Sequence, residues 1–210
     1  VIGLIYTPFL TRMLGQGEYG LYSLVASVVG SLTILDFGFG NALIRYTARL
    51  RAERAEQKLK QMYGMFFVIF CGIALLSLIV GLILYFNIDT LFSRNMNAEE
   101  LSKVRVMFLL LIFNLAFTFI MSVYRSIIVA YERFVFQKVI NLIRIILNPL
   151  VMVVLLLFGY KAVSMVVVQT IFNVLTLCAD YYYCKRKLNV SFVFGKFDFA
   201  FLKEVCLYSF

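Results

Sequence analysis

Long apolar runs without a charged residue recur along this chain, and only short charged breaks separate them. A helix needs roughly 20 mostly apolar residues to cross a bilayer core about 30 Å thick. The chain has 63% hydrophobic and only 15% charged residues. A soluble domain of this length cannot bury that many apolar segments in its core. We therefore expect an all-α polytopic transmembrane bundle of about six helices. The first run ends at Arg12, and the others cover about residues 19–44, 61–88, 106–124, 139–160 and 162–179.

Lysine and arginine are distributed unequally among the loops that these spans define. Fourteen of them follow the second, fourth and sixth spans, and five lie in the alternate loops. Because basic residues in short loops stay on the cytoplasmic side, the even loops are expected to be cytoplasmic. This bias, together with anionic lipid headgroups, accounts for the net charge of +9, so we expect no nucleic-acid partner.

The two ends of the sequence resemble the interior of a longer chain. It starts without methionine inside an apolar run, and it stops in "FLKEVCLYSF", where another segment begins. We expect residues 1–184 to form an N-terminal transmembrane bundle whose first helix is truncated. Residues 185–210 are expected to be a cytoplasmic linker and the start of the next helix.

Cysteine and histidine usage excludes several kinds of site. Cys71, Cys178, Cys184 and Cys206 fit neither a disulfide framework nor a zinc-ligand spacing, and the chain has no histidine. The stretch "DFGFGNA" lacks the lysine and the strand context of a phosphate-binding loop. We therefore expect no metal, no cofactor and no ATP hydrolysis within this chain, and we interpret the cysteines as packing residues.

Three consecutive spans each carry polar residues on one helical face, at spacings close to three and four residues. Polar groups are costly in hydrocarbon, so the pattern predicts that these helices surround a polar cavity. The alternative is that the amides only link the helices by hydrogen bonds. For Arg144, the alternative is a structural ion pair with Asp180 or Asp36. The three sets are Asn114, Thr118, Ser122 and Arg125; Gln137, Asn141, Arg144 and Asn148; and Gln169, Asn173, Thr176 and Asp180.

The second span contains Asp36 close to two glycines, toward its expected cytoplasmic half. Gly38 and Gly40 each weaken a helix by roughly 1 kcal/mol relative to alanine, so the pattern predicts a break or bend. Broken helices at membrane depth are tolerated where they line a cavity. Asp36 is then a candidate to bind a cation or proton, or to pair with Arg45 or Arg144. A simple surface pair with a juxtamembrane arginine is the alternative.

Residues 7–48, "TPFLTRMLGQGEYGLYSLVASVVGSLTILDFGFGNALIRYTA", resemble the opening of bacterial polysaccharide flippases of the O-antigen transporter type. That family lies in the multidrug, oligosaccharidyl-lipid and polysaccharide exporter superfamily. The resemblance extends more weakly to "YERF" at 131–134 and "FDFAFLKEVCLYSF" at 197–210. It implies one half of a two-bundle transporter in the bacterial inner membrane.

The resemblance also implies a cargo, which is undecaprenyl-pyrophosphate-linked oligosaccharide moved to the outer leaflet by alternating access. A pyrophosphate needs cations, so Arg144 and Arg125 are candidates to bind it, and asparagines suit sugar hydroxyls. Membrane lipids and other polysaccharide-assembly membrane proteins are further candidate partners. The expected substrate-binding residues are Arg144, Arg125, Asn141, Asn148, Asn114, Asn173, Asn41 and Arg45, with Asp36, Asp180, Gly38 and Gly40 for ion coupling or hinge motion.

Two other functions remain open at this point. A cation-coupled drug or small-molecule exporter of the same superfamily would favour an essential acidic residue and few cavity arginines. A membrane glycan polymerase or ligase would need catalytic side chains in a long outward loop. The longest such loop, "NIDTLFSRNMNAEELSK", has acids but no histidine and reads as a short connector. We therefore expect a transporter and not an enzyme.

Overall fold

The computed structural model describes residue 8 and residues 10–92 and 96–193. Within these residues the secondary structure is helical, without a strand. The fold is therefore all-α, as predicted. The helices are α1 (Gln16–Ser31), a short 3₁₀ turn (Leu32–Asp36), α2 (Phe39–Ala52), α3 (Glu56–Phe86), α4 (Ile88–Phe92), α5 (Ala98–Ala130), α6 (Phe134–Leu157) and α7 (Ala162–Arg186).

Five segments of the described chain are long and apolar enough to cross a membrane. They match the second to sixth predicted spans and confirm a multi-pass helical bundle. The predicted first span falls largely outside the described residues, as does the expected start of a further helix after residue 193. The five segments are Gln16–Ala52, Glu56–Phe86, Ala98–Ala130, Phe134–Leu157 and Ala162–Lys187.

Three helix ends share one closing motif, in which a residue of positive φ follows the last turn. Arg54 ends α2 at φ 54°, Glu132 ends α5 at φ 56° and Gly159 ends α6 at φ 83°. In each case the next residue donates its N–H to a carbonyl five residues back, as in a Schellman motif. These tight ends explain why the spans follow one another with such short connections.

The helix α5 lies at the centre of the described bundle and has packed neighbours on several sides. Near one end, Val123 and Ile127 pack with Phe66 and Phe70 of α3 in a buried cluster. Near the other end, Met107 and Phe108 belong to a second cluster with residues of α1 and α7. Burial of these large side chains holds α1, α2, α3 and α7 around α5.

The two ends of the bundle have different chemistry. The α2–α3 turn, the end of α5 and residues 188–191 come together at one end, which we call the basic end. At the opposite end, Glu18 of α1 accepts a hydrogen bond from Lys103 Nζ of α5 at 2.7 Å and another from the Ala162 backbone N–H of α7 at 3.2 Å. The Glu18 carboxylate therefore links α1 to α5 and α7 near the N-terminal ends of these helices.

The helices α3 and α6 expose mainly branched apolar side chains. On α6, the buried residues are Met152 and Leu156 alone among its described positions. Its outer side exposes Leu142 and Leu150, and that of α3 exposes Leu75 and Ile83. Such surfaces suit lipid acyl chains.

The helices α3 and α5 approach each other closely at Gly81. A Cβ atom there would lie 2.8 Å from the Cδ1 and Cγ2 atoms of Ile112. Ile112 is β-branched and buried, so its side chain has little freedom to move away. By contrast, a Cβ atom at Gly72 of the same helix would meet nothing within 4 Å.

We expect Gly81→Ala to destabilise the protein and Gly72→Ala to be neutral or slightly stabilising. Overpacking costs about 1–3 kcal/mol, which exceeds the roughly 0.5–1 kcal/mol that alanine gains over glycine in a helix. The thermal unfolding midpoints of the two purified variants in detergent provide the comparison. Equal midpoints would show that α3 and α5 do not pack as closely as described.

Candidate functional site

The three predicted polar faces meet in a seam between α5, α6 and α7. Asn114 of α5 is 8% exposed and Asn173 of α7 is 9% exposed. The Asn173 Nδ2 donates to Asn114 Oδ1 at 2.5 Å and to Thr118 Oγ1 at 2.7 Å. Asn114 Nδ2 in turn lies 3.4 Å from Thr170 Oγ1. Asn114 and Asn173 therefore form interhelical hydrogen bonds. The sequence had left this open as the alternative to a polar cavity.

Arg144 joins this network from α6. Its Nη1 donates to Asn173 Oδ1 at 3.2 Å, and its side chain is half-buried. Neither Asp180 nor Asp36 forms an ion pair with it, so the paired alternative is not found among the described residues. A guanidinium has five N–H donors. Asn173 is the one described residue that accepts a hydrogen bond from the Arg144 guanidinium. Arg144 thus keeps its charge and several donors for another partner.

Two further charges lie near the seam. Arg125 is exposed on α5 and interacts electrostatically with both Arg144 and Asp180. Asp180 is 3% exposed on α7, and no described cation forms an ion pair with it. Gln137 also reaches the seam, since its Nε2 donates to the Arg125 carbonyl at 3.0 Å. The seam therefore carries two cations and one buried acid.

The other two predicted residues of α6 lie outside this network. Asn141 is exposed and Asn148 is half-exposed. Neither side chain makes a hydrogen bond to another described residue. Asn148 precedes Pro149, which is inside the helix and cannot donate to the carbonyl four residues earlier. Their proposed role in sugar binding stays a prediction.

The predicted break in the second span is present. The 3₁₀ turn ends at Asp36, Phe37 and Gly38 adopt left-handed φ angles of 46° and 75°, and α2 then starts at Phe39. A Cβ atom at Gly40 would lie 3.5 Å from Ser126 Oγ and 3.8 Å from Asp36 Oδ2. Gly38 therefore permits the turn, whereas a Cβ atom at position 40 would make only ordinary van der Waals contacts with Ser126 and Asp36.

Asp36 is held beside the first turn of α2 without a cation as partner. No side chain caps that helix start, and the positive end of a helix dipole favours a nearby carboxylate. No ion pair to Asp36 is found within the described residues. Asn41 and Arg45, one turn apart on α2, are both exposed.

The exposed side of α1 carries hydroxyl groups that were not among the predicted site residues. Ser23, Ser27 and Ser31 recur every four residues and are all exposed. We call these three residues the serine stripe. Ser27 Oγ donates to the Ser23 carbonyl at 2.7 Å, and Ser31 Oγ donates to the Val28 carbonyl at 2.6 Å. The four-residue spacing is visible in the sequence and is the signal that marks this face.

The polar groups of the described residues suit the binding of a polar ligand. No group of three His, Cys, Asp or Glu side chains that could hold a metal ion is found in residues 10–92 and 96–193. In the seam, Arg144 supplies a cation that is held by a hydrogen bond to Asn173. The helices α1 and α2 expose hydroxyl, amide and guanidinium groups. These groups recognise phosphates and sugars.

Comparison with known proteins places the chain in a family. No curated protein and no solved structure matches it. The family model described as polysaccharide biosynthesis protein matches residues 1–210, which is the whole sequence. The match confirms at family level the resemblance seen in residues 7–48. The chain therefore belongs to the polysaccharide biosynthesis protein family.

Proposed function

We propose that this protein moves lipid-linked oligosaccharide across the membrane, from the cytoplasmic to the periplasmic leaflet of the bacterial inner membrane. Membership of the family supports a role in polysaccharide biosynthesis or export, and the five spans make the protein a multi-pass membrane protein. The proposed cargo is an undecaprenyl-pyrophosphate-linked glycan. The proposed mechanism is alternating access, without a catalytic step.

The main support for this proposal is the position of Arg144 and its lack of an ion pair among the described residues. It lies near the middle of the spanning helix α6, where an unpaired charge is costly and usually functional. An amide and not an acid supports it, so its positive charge is not neutralised within the described residues. A pyrophosphate would accept hydrogen bonds from the remaining N–H donors, while its lipid tail remains in the bilayer.

The exposed polar residues of α1 and α2 suit the glycan part of the same cargo. Ser23, Ser27, Asn41 and Arg45 stand on helices that expose polar groups, whereas α3 and α6 expose mainly leucine, isoleucine and valine. A water-filled path for sugars needs such a polar surface. We therefore propose that α1 and α2 face the transport path and that the outer sides of α3 and α6 face lipid.

Asp180 and Asp36 favour a second candidate function, cation-coupled export of a drug or another small molecule. Both carboxylates lie in spanning segments without an ion-paired cation among the described residues. Such acids are typical of proton or ion relays. An ion-coupled flippase would use them equally well, so the cargo has to be measured directly.

We expect a strain that lacks the gene to accumulate undecaprenyl-linked oligosaccharide in the cytoplasmic leaflet. The measurement is the amount and leaflet location of these lipids, with drug susceptibility assayed beside them. Unchanged lipid-linked glycans together with new drug sensitivity would contradict the flippase proposal and support the exporter.

In the same strain, complementation with Arg144→Gln should restore the protein to the membrane but restore transport poorly. Glutamine keeps an N–H donor but is shorter than arginine and loses the charge. Charge-assisted contacts are worth about 1.5–3 kcal/mol, so we expect a loss of roughly tenfold or more. Arg144→Lys, which keeps the charge, is the matched control and should retain more activity. Full transport by Arg144→Gln would remove the charge from the site.

Thiol labelling in intact cells tests the orientation that the loop charges predict. In a protein without its native cysteines, Arg54→Cys at the basic end should resist an impermeant reagent added from outside. Lys161→Cys at the opposite end should react, because the Lys161 side chain is 64% exposed there. Reaction at position 54 with protection at position 161 would reverse the orientation.

A further inference from the structure

A cavity of about 480 Å³ lies at the basic end of the bundle, away from the seam. The α2–α3 turn, the first turns of α3, the end of α5 and the segment after α7 line it. This volume lies within the range of about 300–1,000 Å³ that is typical of small-ligand sites. The polar side chains that line it include Arg51, Arg54, Glu56, Lys60, Tyr63 and Tyr131.

The three basic residues of the lining differ in whether their side chains are held by other residues. Arg51 is fixed, because its guanidinium carbon lies 3.9 Å from the centre of the Tyr131 ring and its Nη1 donates to the Ala130 carbonyl at 3.1 Å. The side chains of Arg54 and Lys60 form no ion pair and no hydrogen bond with another described residue. Glu56 contributes the one carboxylate of the lining, which leaves an excess of positive charge.

Two further features of the lining point to an anionic ligand. Tyr63 is 2% exposed, and its buried hydroxyl has no hydrogen bond of ordinary geometry within the described chain, although Thr47 and Tyr131 lie close by. Buried hydroxyls normally have a partner, and a ligand oxygen would supply one. In addition, α3 starts at Glu56 without a side-chain cap, and free N–H groups at such a helix start attract anions.

The position of the cavity identifies the source of the anion. It lies where the spanning helices end, which is where lipid headgroups are expected, and Leu50, Leu59 and Leu188 give it an apolar part. Basic pockets at the cytoplasmic ends of spanning helices suit anionic headgroups. We propose that this cavity binds the phosphate of an anionic glycerophospholipid from the leaflet on the basic side.

Binding at this place would also act on the segment that leaves α7. The Val193 backbone N–H donates to the Lys60 carbonyl at 3.1 Å, and the Phe192 ring lies 6.2 Å from the Tyr63 ring. Residues 188–191 form one wall of the cavity. A bound headgroup would therefore hold residues 188–193 against α3.

The test is lipid retention by the purified protein reconstituted in nanodiscs of equal parts phosphatidylglycerol and phosphatidylcholine. Native mass spectrometry counts the lipids that stay bound. Wild type should retain phosphatidylglycerol preferentially, and Arg54→Gln and Lys60→Gln should each lower this retention about fivefold. Lys58→Gln is the matched control, because Lys58 is exposed on the same helix but does not line the cavity.

A second variant separates binding from folding. Tyr63→Phe removes the hydroxyl but keeps the ring beside Phe192, so we expect an unchanged melting temperature and a retention lowered roughly threefold or more. Equal losses in Lys58→Gln and Lys60→Gln would overturn the proposal, because they would indicate diffuse surface attraction. Displacement of the retained lipid by inorganic phosphate alone would also overturn it, since the site would then take a free anion.

Discussion

A polar group in the hydrocarbon layer is costly unless it finds a partner or water, and this cost organises the bundle. Asn173 meets it most fully, because its amide oxygen accepts from Arg144 and its amide nitrogen donates to Asn114 and Thr118. Such interhelical bonds contribute only about 0.6–2 kcal/mol each. Their larger effect is on register, since a shift of any one of the three helices would leave a buried amide or a guanidinium without its partner.

Two kinds of surface follow from the same requirement. The helices α3 and α6 have few polar groups to satisfy on their outer sides and expose branched apolar residues. Exposed residues of α1 and α2 include serines, an asparagine and an arginine. Ser27 and Ser31 donate hydrogen bonds to carbonyls of their own helix, which lowers the cost of meeting lipid but does not make the surface apolar. This difference underlies our proposal that α1 and α2 face the transport path.

The sequence predicted the spans well because a bilayer imposes a length and a composition on each of them. It also predicted the break at Asp36, since two closely spaced glycines weaken a spanning helix at one point. It did not tell whether the polar faces of α5, α6 and α7 would surround water or bond to one another. That choice depends on the rotation and distance of neighbouring helices, which the spacing of Asn114 or Asn173 along its own helix does not encode.

The cavity at the basic end was beyond sequence reasoning for a similar reason. Its lining combines some of the residues between 50 and 63 with Tyr131 and residues 188–191. These three parts are distant in the chain, and their basic residues look like ordinary loop charges when each is taken alone. Gly81 shows the opposite case. A glycine inside a spanning helix permits close packing, and the structure shows the neighbour at this position, Ile112.

The most direct test of this account compares the water accessibility of the serine stripe with that of the outer side of α3. Ser27→Cys and Leu75→Cys lie the same number of residues from the ends of α1 and α3 at the end opposite the basic end, and Leu75 is 60% exposed. In a protein without its native cysteines, each variant is treated with a small, charged, impermeant thiol reagent. The account predicts that the cysteine at position 27 reacts several-fold faster than the one at position 75. Equally slow reaction at both positions would contradict it, because α1 would then face lipid or protein and not a water-filled path.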